Sequence, residues 1–244
     1  TQNHTLLYDA GARWRGGDSG QTVVLPALQA NGISTLDMLI VSHDDADHSG
    51  GVPSIMQAVD VPEVLAPAAD YLGIEQAVDC RAGAAWEWDN VSFRVVHPVN
   101  RSVWSDNNAS CVLLIVAANR KILLPGDIEA AAELKLAEEP LLRQVSLVLA
   151  PHHGSRTSSS ELFVNTVAAK YVVFSAGYAN RWGFPKADIL ERWLASGACA
   201  LQTSVSGALE FSVSARGELT LDHAARAGWK RPWVLRNPHA ADCI

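Results

Sequence analysis

The sequence predicts an α+β fold with a large hydrophobic core. Short runs of strand-forming residues alternate along the chain with segments of amphipathic helical pattern. Clusters of histidine and aspartate come directly after several of the apolar strands. At 244 residues and 48% hydrophobic content, the chain is long enough for one large domain or two small ones. No break in composition argues for two, so we expect one domain over residues 1–225 and a tail over 226–244.

Five segments have the pattern of helices. One of them begins with serines, which can cap its free backbone N–H groups. The predicted helices cover residues 21–30, 52–59, 128–139, 158–169 and 186–196.

Apolar or alternating runs predict the strands. Two of these runs contain a turn signal, Asp89-Asn90 in the first and Asn119-Arg120 in the second, and we interpret both as hairpins. The predicted strands cover residues 4–9, 36–41, 145–150 and 171–176, the hairpins cover 86–96 and 110–124, and two or three further strands lie within 198–221.

The run from Ser42 to Gly51 is the most informative part of the sequence. It follows the apolar stretch 36–41 and places two imidazoles and up to three carboxylates at one strand end. So many metal-ligand groups at the mouth of a buried strand would repel and desolvate one another unless a cation lay among them. The run therefore predicts a metal site. A solvated polar loop, the rival interpretation, rarely has this spacing after a buried strand.

Further polar residues follow the other apolar strands. Asp9 ends the first strand. Asp127 comes shortly after the predicted hairpin over 110–124, and His152 and His153 follow residues 148–151. Functional residues gather on loops that a rigid sheet holds, and we expect these clusters to meet at one rim. A mixed set of imidazoles and carboxylates suits one or two divalent first-row metal ions.

The order of these motifs resembles a known family. The pattern His43-x-Asp45-x-Asp47-His48, followed by Gly126-Asp127 and by 152–155, resembles the metallo-β-lactamase superfamily. More closely, the set resembles the soluble C-terminal domain of ComEC-type competence proteins, the DNA-uptake channels of the inner membrane. The segments that carry this closer resemblance are 7–11, 43–51, 107–110, 124–128 and 151–158. The resemblance implies a four-layer αβ/βα sandwich.

The resemblance also implies a role for individual residues. The six implied metal ligands are His43, Asp45, Asp47, His48, Asp127 and His152. The first two would bind one ion and the next two a second ion. Asp127 would bridge both ions and His152 would complete the second site. The implied catalytic groups are Asp47, Asp127 and His152, in the geometry of a two-metal hydrolase.

Two residues would support the ligands without binding metal. Asp9 would brace the histidine-rich loop, because a ligating imidazole usually needs an acceptor on its other N–H. His153 is expected beside the site, because two adjacent residues at a strand end cannot both point at one ion. Asp127 alone would also make a good helix N-cap. Its role as a ligand is favoured only because His43 and His152 belong to the same motif pattern.

The sequence departs from the superfamily pattern in ways that bear on the metal. Asp45 stands where a second histidine is usual, and this exchange of nitrogen for a hard oxygen favours Mn²⁺ or Mg²⁺ against Zn²⁺. The cofactors that we expect are one or two divalent ions, Mn²⁺ or Zn²⁺, with Mg²⁺ as an alternative. Phe184 stands where the ComEC-like pattern tends to have histidine, and the usual glycine-rich first strand is missing.

Positive and polar groups near the expected rim are few. Arg156 and several serines follow the histidine pair at the start of a predicted helix, where free N–H groups and the helix dipole favour a phosphate. Trp182 offers a stacking face beside Arg181. The substrate-binding residues that we expect are Asn108, Ser110, Ser155, Arg156 and Arg181. Asn108 is also a turn former, and Arg156 has a simple alternative as a surface arginine.

Composition limits the partners and the compartment. The net charge of −7 excludes a global positive field that would hold a polyanion, so any contact with DNA must be local. We find no apolar window of membrane-spanning length and no signal peptide, and the start at Thr1 suggests a fragment of a longer polypeptide. The four cysteines lack metal-site spacing, and a disulfide is neither required nor excluded.

The function predicted from the resemblance is hydrolysis of DNA phosphodiester bonds by the nuclease-like domain of a ComEC-type uptake channel. The expected partners are DNA, the channel portion of the same polypeptide and other DNA-uptake proteins. The expected location is the outer, periplasmic face of the bacterial cytoplasmic membrane. Two alternatives stay open: a small-molecule hydrolase of the same superfamily, and a catalytically idle module that guides DNA.

Overall fold

The computed structural model describes residues 1–67 and 72–226. The chain divides into two compact units, one over Thr1–Leu113 and a second that begins at Leu114. The predicted tail over 226–244 lies, apart from its first residue, outside the described residues. In the described part of the chain, no helix is both long and apolar enough to cross a membrane.

The first unit is built on a parallel sheet of four strands. The strands are β1 (Leu6–Tyr8), β4 (Met38–Ile40), β5 (Glu63–Ala66) and β6 (Ala77–Asp79), and they lie in that order. Strand β4 is completely buried, as its continuous apolar sequence predicts for an inner parallel strand. Its residues lead directly into Ser42 and His43, so the sheet fixes where the histidine-rich loop begins.

The described residues of the first unit also form three α-helices and two hairpins. The helices are α1 (Leu25–Ala30), which a π-helical turn at Gly20–Val24 precedes, α2 (Ala46–Ser49) and α3 (Val52–Ala58). The hairpins pair β2 (Arg13–Trp14) with β3 (Gly17–Asp18) and β7 (Ala85–Trp88) with β8 (Val91–His97). The predicted turn at Asp89-Asn90 is confirmed, and both residues have positive φ.

Two glycines allow the histidine-rich loop to pack closely. A Cβ at Gly50 would clash with the backbone nitrogen of Arg13, and one at Gly51 would clash with the carbonyl oxygen of Ala10. Neither position has room for any side chain. The Gly-Gly turn after His48 is therefore required because α2 approaches the segment after β1.

The second unit contains a mainly parallel sheet whose first strand begins in the first unit's range. The strands are β9 (Val112–Ala117), β10 (Arg120–Leu124), β11 (Leu147–Leu149), β12 (Tyr171–Phe174) and β13 (Cys199–Gln202). Their order is β13-β12-β11-β10-β9, and β10 to β13 are parallel. The predicted turn between β9 and β10 is wrong by one residue, because Ala118 and Asn119 take the left-handed conformation.

In the part of the second unit that the structure describes, four α-helices and a hairpin accompany this sheet. The helices are α4 (Ala130–Leu136), α5 (Glu161–Val167), α6 (Ala187–Ala195) and α7 (Thr203–Ser206), and the antiparallel hairpin pairs β14 (Leu209–Val213) with β15 (Leu219–Ala224). Helix α4 is shorter than predicted because Glu129, at its N-cap, has extended backbone. The N-cap interpretation of Asp127 is therefore wrong. The α+β fold class is confirmed.

Candidate metal centre

Two of the histidines in the first unit lie side by side at the end of β4. His43 and His48 are buried, and the centres of their rings are 4.2 Å apart. His43 follows β4 directly, whereas His48 belongs to the short helix α2. The backbone N–H of Ala10 donates to the carbonyl of His48 at 2.7 Å, so the loop is fastened to the end of β1.

Asp9 organises this pair of histidines. Its carboxylate accepts hydrogen bonds from the backbone N–H of Ser42 at 2.7 Å, from the Ser42 hydroxyl at 2.9 Å and from Nδ1 of His48 at 2.8 Å. Because an ionised carboxylate only accepts, Nδ1 of His48 carries the proton and Nε2 keeps its lone pair for a metal ion. The role predicted for Asp9 as a support of the ligands agrees with this geometry.

Ser42 links both imidazoles to the same carboxylate. Its hydroxyl lies 3.0 Å from Nδ1 of His43 and 3.2 Å from Nδ1 of His48. Since the hydroxyl proton points to Asp9, the oxygen accepts from His43, which leaves Nε2 of His43 with a lone pair. Sequence reasoning missed this residue. Its only signal is a polar side chain between a buried strand and a histidine.

The two aspartates of the motif are more exposed than the histidines. Oδ2 of Asp45 lies 3.6 Å from Nε2 of His43, although most of the Asp45 side chain is open to solvent. Asp47 is exposed on α2. Oxygen donors at a solvent-facing position suit a hard ion that retains some of its water.

A cavity of about 880 Å³ opens beside the histidine-rich loop in the first unit. The residues that line it include His43, Asp44, Arg81 and Trp104. This volume is at the upper end of the range of about 300–1,000 Å³ that is usual for small-molecule sites. The His97 ring lies 5.1 Å from that of Trp104, measured between centres. Burial lowers the pKa of His97, and its Nε2 donates to the carbonyl of Asn108 at 2.7 Å.

The second unit contributes a buried aspartate that faces two histidines. Asp127 is 4% exposed. Its Oδ2 lies 3.8 Å from Nε2 of His152 and 3.5 Å from Nε2 of His153. The expectation that adjacent histidines cannot face one point is wrong. Both have positive φ, in a 3₁₀ turn over Pro151–Gly154 in place of a strand, and alternation along a strand does not apply there.

Hydrogen bonds fix the orientation of both rings. Nδ1 of His153 donates to the carbonyl of Ser175 at 2.7 Å, so its Nε2 keeps a lone pair directed toward Asp127. Nδ1 of His152 lies 3.1 Å from the Thr157 hydroxyl and 3.5 Å from Oε1 of Glu129. His153 is therefore as well placed as His152 to act beside Asp127.

A carboxylate of the protein lies at the start of α5, where the sequence predicts a phosphate site. The carboxylate of Glu133 accepts from the backbone N–H groups of Ser159 and Ser160, the latter at 2.7 Å. Burial raises the pKa of Glu133, whereas these hydrogen bonds lower it. Sequence reasoning missed Glu133, because no local pattern joins two segments 26 residues apart.

The predicted substrate-binding residues differ in their exposure. Ser110 and Ser155 are buried, and the Ser110 hydroxyl donates to the carbonyl of Asn107 at 2.7 Å, so both shape their loops. Arg156 donates from Nε to both oxygens of Asp188 at 3.0 Å, which lowers the pKa of that carboxyl. Asn108 is half-buried, and Arg181 is exposed beside Trp182.

Each of the two units offers imidazole and carboxylate donors that fit divalent ions. The candidate donors include His43, Asp47 and His48 in the first unit and Asp127 and His153 in the second. Comparison with known families gives this chemistry a context, since the family model of the metallo-β-lactamase superfamily matches residues 1–177. The chain belongs to the metallo-β-lactamase superfamily. Members of this superfamily typically bind divalent metal ions.

Curated relatives of this superfamily domain include competence proteins. The chain is 37% identical to Recombination protein 2 of Haemophilus influenzae over 202 residues. This aligned region is 83% of this chain and 25% of the relative. The chain is also 37% identical to Competence protein ComA of Neisseria gonorrhoeae over 220 residues. This aligned region is 89% of the chain and 30% of the relative. The chain thus spans less than a third of the length of these relatives. The predicted resemblance to ComEC-type competence proteins is confirmed.

A solved structure supports the superfamily fold. The metallo-β-lactamase fold protein YhfI from Bacillus subtilis matches with a TM-score of 0.51 and 11% identity, over 90% of this chain and 88% of that protein. At this level of identity the match establishes the fold alone. The predicted metallo-β-lactamase-like fold is confirmed.

Proposed function

We propose that this superfamily domain hydrolyses phosphodiester bonds of DNA with one or two divalent metal ions, as the nuclease domain of a DNA-uptake channel. The observation that carries the proposal is the pair of donor clusters, His43 with His48 over Asp9 and Asp127 before His152 and His153. Its relatives are named for recombination and competence, which favours DNA as the substrate.

In this proposal the metal ligands are those of the family resemblance, with one addition. Metal ions would be held by Nε2 of His43 and of His48, by the carboxylates of Asp45 and Asp47, and by Asp127 with His152. His153 is added, because its Nε2 lies 3.5 Å from Asp127 while its Nδ1 is bonded to a carbonyl. Bound divalent ions would lower the pKa of a water molecule and neutralise the phosphate oxygens of the substrate.

The chain's own residues then have defined tasks. Asp9 holds His48 as the tautomer with its proton on Nδ1, and Ser42 extends this support to His43. Ser175 does the same for His153. In the hydrolysis, the oxygen of water bonds to phosphorus, one bond from phosphorus to a sugar oxygen breaks, and that sugar oxygen takes up a proton. Asp47, exposed beside His48, is proposed to help orient the water.

The test is hydrolysis of end-labelled DNA by the 244-residue chain. We expect cleavage with Mn²⁺, less with Mg²⁺ or Zn²⁺, and none after treatment with a chelator, with up to two ions bound per chain by elemental analysis. A folded chain that binds metal and cleaves no DNA would contradict the nuclease function and favour a small-molecule substrate. A folded chain that binds no metal would favour the idle module.

We also propose that the domain works in an oxidising compartment, on the outer face of the cytoplasmic membrane. Cys80 and Cys111 form a buried disulfide between residues 31 positions apart. Disulfides persist in the periplasm and outside the cell, and are rare in the cytosol. The sequence left this pairing open, because four cysteines allow three sets of two disulfides.

Thiol labelling of the natural full-length protein tests this compartment. Cells are lysed directly into denaturant with a maleimide reagent, and we expect Cys80 and Cys111 to stay unlabelled unless a reductant is added first. A Cys80→Ser variant is the control, because it should expose the thiol of Cys111 to the reagent without any reductant. Complete labelling of both cysteines in unreduced cells would place the domain in a reducing compartment and contradict the proposal.

A further inference from the structure

One loop of the second unit presents large aromatic side chains to solvent. We call the segment from Tyr178 to Lys186, between β12 and α6, the aromatic loop. Tyr178 is 68% exposed and Trp182 is 55% exposed. Large aromatic side chains usually bury most of their surface. Two of them exposed within five residues of sequence indicate a surface that contacts something else.

The loop is held in one shape by its own hydrogen bonds. The Asn180 side chain accepts from the backbone N–H of Phe184 at 2.9 Å and donates to the carbonyls of Phe184 at 2.7 Å and Gly177 at 3.1 Å. The Lys186 ammonium donates to the carbonyl of Trp182. Trp182 is therefore presented by a fixed loop, and little ordering would be needed when a ligand binds.

The charge of the loop is positive, unlike that of the whole chain. Its sequence has Arg181 and Lys186 and no acidic residue, whereas the chain carries a net charge of −7. The Arg181 guanidinium lies 4.4 Å above the Trp182 ring, and Lys186 lies 5.3 Å above the Phe184 ring. Such pairing of cations with aromatic rings is typical of surfaces that bind single-stranded nucleic acids.

The loop also borders the histidine pair of the second unit. The Phe184 ring lies 5.9 Å from that of His152 and 6.3 Å from that of His153, measured between centres. A polymer that contacts the loop would thus lie beside residues that we assign to the metal centre.

We propose that the aromatic loop binds unpaired nucleotides of the DNA substrate, with a base stacked on Trp182 and a phosphate paired with Arg181. This inference rests on the proposed function and deepens it, because it makes a single strand the preferred substrate. Bases inside a duplex stack on one another and can reach Trp182 only after they unpair. A phosphate contact alone would not distinguish the two forms of DNA.

The experiment measures binding by fluorescence anisotropy in a chelator, where no hydrolysis takes place. The probes are a labelled oligothymidylate, an abasic oligonucleotide of the same length and a blunt duplex. We expect Trp182→Ala to weaken binding of oligothymidylate about 5- to 160-fold, since stacking on an aromatic side chain is worth roughly 1–3 kcal/mol per base. Binding of the abasic strand should not change, and Trp182→Phe should retain most of the affinity.

Two further variants separate stacking from other effects. Trp14→Ala removes another exposed tryptophan, 49% exposed in the first unit, and should leave binding unchanged. Arg181→Ala should weaken binding of oligothymidylate and of the abasic strand alike and reduce the salt dependence of both. Unchanged binding by Trp182→Ala, or an equal loss for the abasic strand or the duplex, would overturn the stacking role.

The outcomes also separate this inference from the proposed function. Normal oligothymidylate binding by Trp182→Ala, in a chain that cleaves DNA, would reject the loop and keep the nuclease. Selective loss of oligothymidylate binding, in a chain that cleaves nothing with any metal, would support the loop on a DNA-guiding module and reject the nuclease.

Discussion

Replacing Asp127 with asparagine is expected to lower the rate of metal-dependent DNA cleavage by about a thousandfold or more. Asparagine has nearly the same size, so the cavity around this buried side chain keeps its shape. It lacks the negative charge that faces Nε2 of both His152 and His153 at 3.8 and 3.5 Å. Cleavage rates at saturating Mn²⁺, together with the metal content of each protein, measure the effect.

The control for this variant is Asp188→Asn. Asp188 is a carboxylate of the same unit, but it is half-exposed and pairs with Arg156 at 3.0 Å. Its loss should leave both cleavage and metal content near those of the parent chain, because exposed ion pairs contribute little to stability. If Asp127→Asn cleaved DNA at the parental rate with its full metal content, the assignment of Asp127 as a ligand would be rejected.

The parts of the site that follow apolar strands could be predicted from the sequence. Strand β4 is a continuous apolar run, and the residues after it are fixed by its end, so the position of His43 just beyond a buried strand agrees with the sequence prediction. The same reasoning placed Asp127 after β10. Periodicity gives helix positions within a few residues but not their ends, as α4 illustrates, since Glu129 is extended and the helix begins only at Ala130.

The parts that depend on unusual backbone or distant contacts could not be predicted. His152 and His153 face one carboxylate only because both have positive φ. Residues other than glycine rarely adopt this conformation, so the sequence does not predict it here. Glu133 occupies the N–H groups of Ser159 and Ser160 from a different helix. Ser42 acts through Asp9, which is 33 residues away in sequence. Each of these features depends on tertiary structure, and local sequence patterns do not predict it.

Asp9 is the position where a conservative change should most clearly separate metal binding from folding. Asp9 has a φ of 62°, in the left-handed region, and asparagine tolerates this conformation. In the Asp9→Asn variant, the amide oxygen of the new side chain could still accept from the backbone N–H of Ser42. Its NH₂ group, however, would point a donor at the Ser42 hydroxyl and at Nδ1 of His48, both of which donate to the aspartate.

We therefore expect Asp9→Asn to change the tautomer of His48. With no acceptor opposite Nδ1, the proton moves to Nε2, and the lone pair that would hold the metal ion is lost. Loss of such a supporting group typically weakens metal binding about 10- to 100-fold. Competition with a chromogenic chelator measures the Mn²⁺ affinity, and the nitrogen chemical shifts of His48 report the tautomer directly.

Asp37→Asn provides the matched comparison for this effect. Asp37 is also a carboxylate of the first unit that accepts from a backbone N–H, that of Thr5 at 2.7 Å, and it lies at the start of β4 instead of its end. Both variants should lower the free energy of unfolding, Asp37→Asn because it weakens one hydrogen bond and Asp9→Asn because it disturbs the two from the Ser42 hydroxyl and His48. Only Asp9→Asn should lower Mn²⁺ affinity and shift the His48 nitrogens. Equal metal affinity in the two variants would mean that Asp9 stabilises the loop without tuning its histidine, and that His48 is not held as a ligand by this carboxylate.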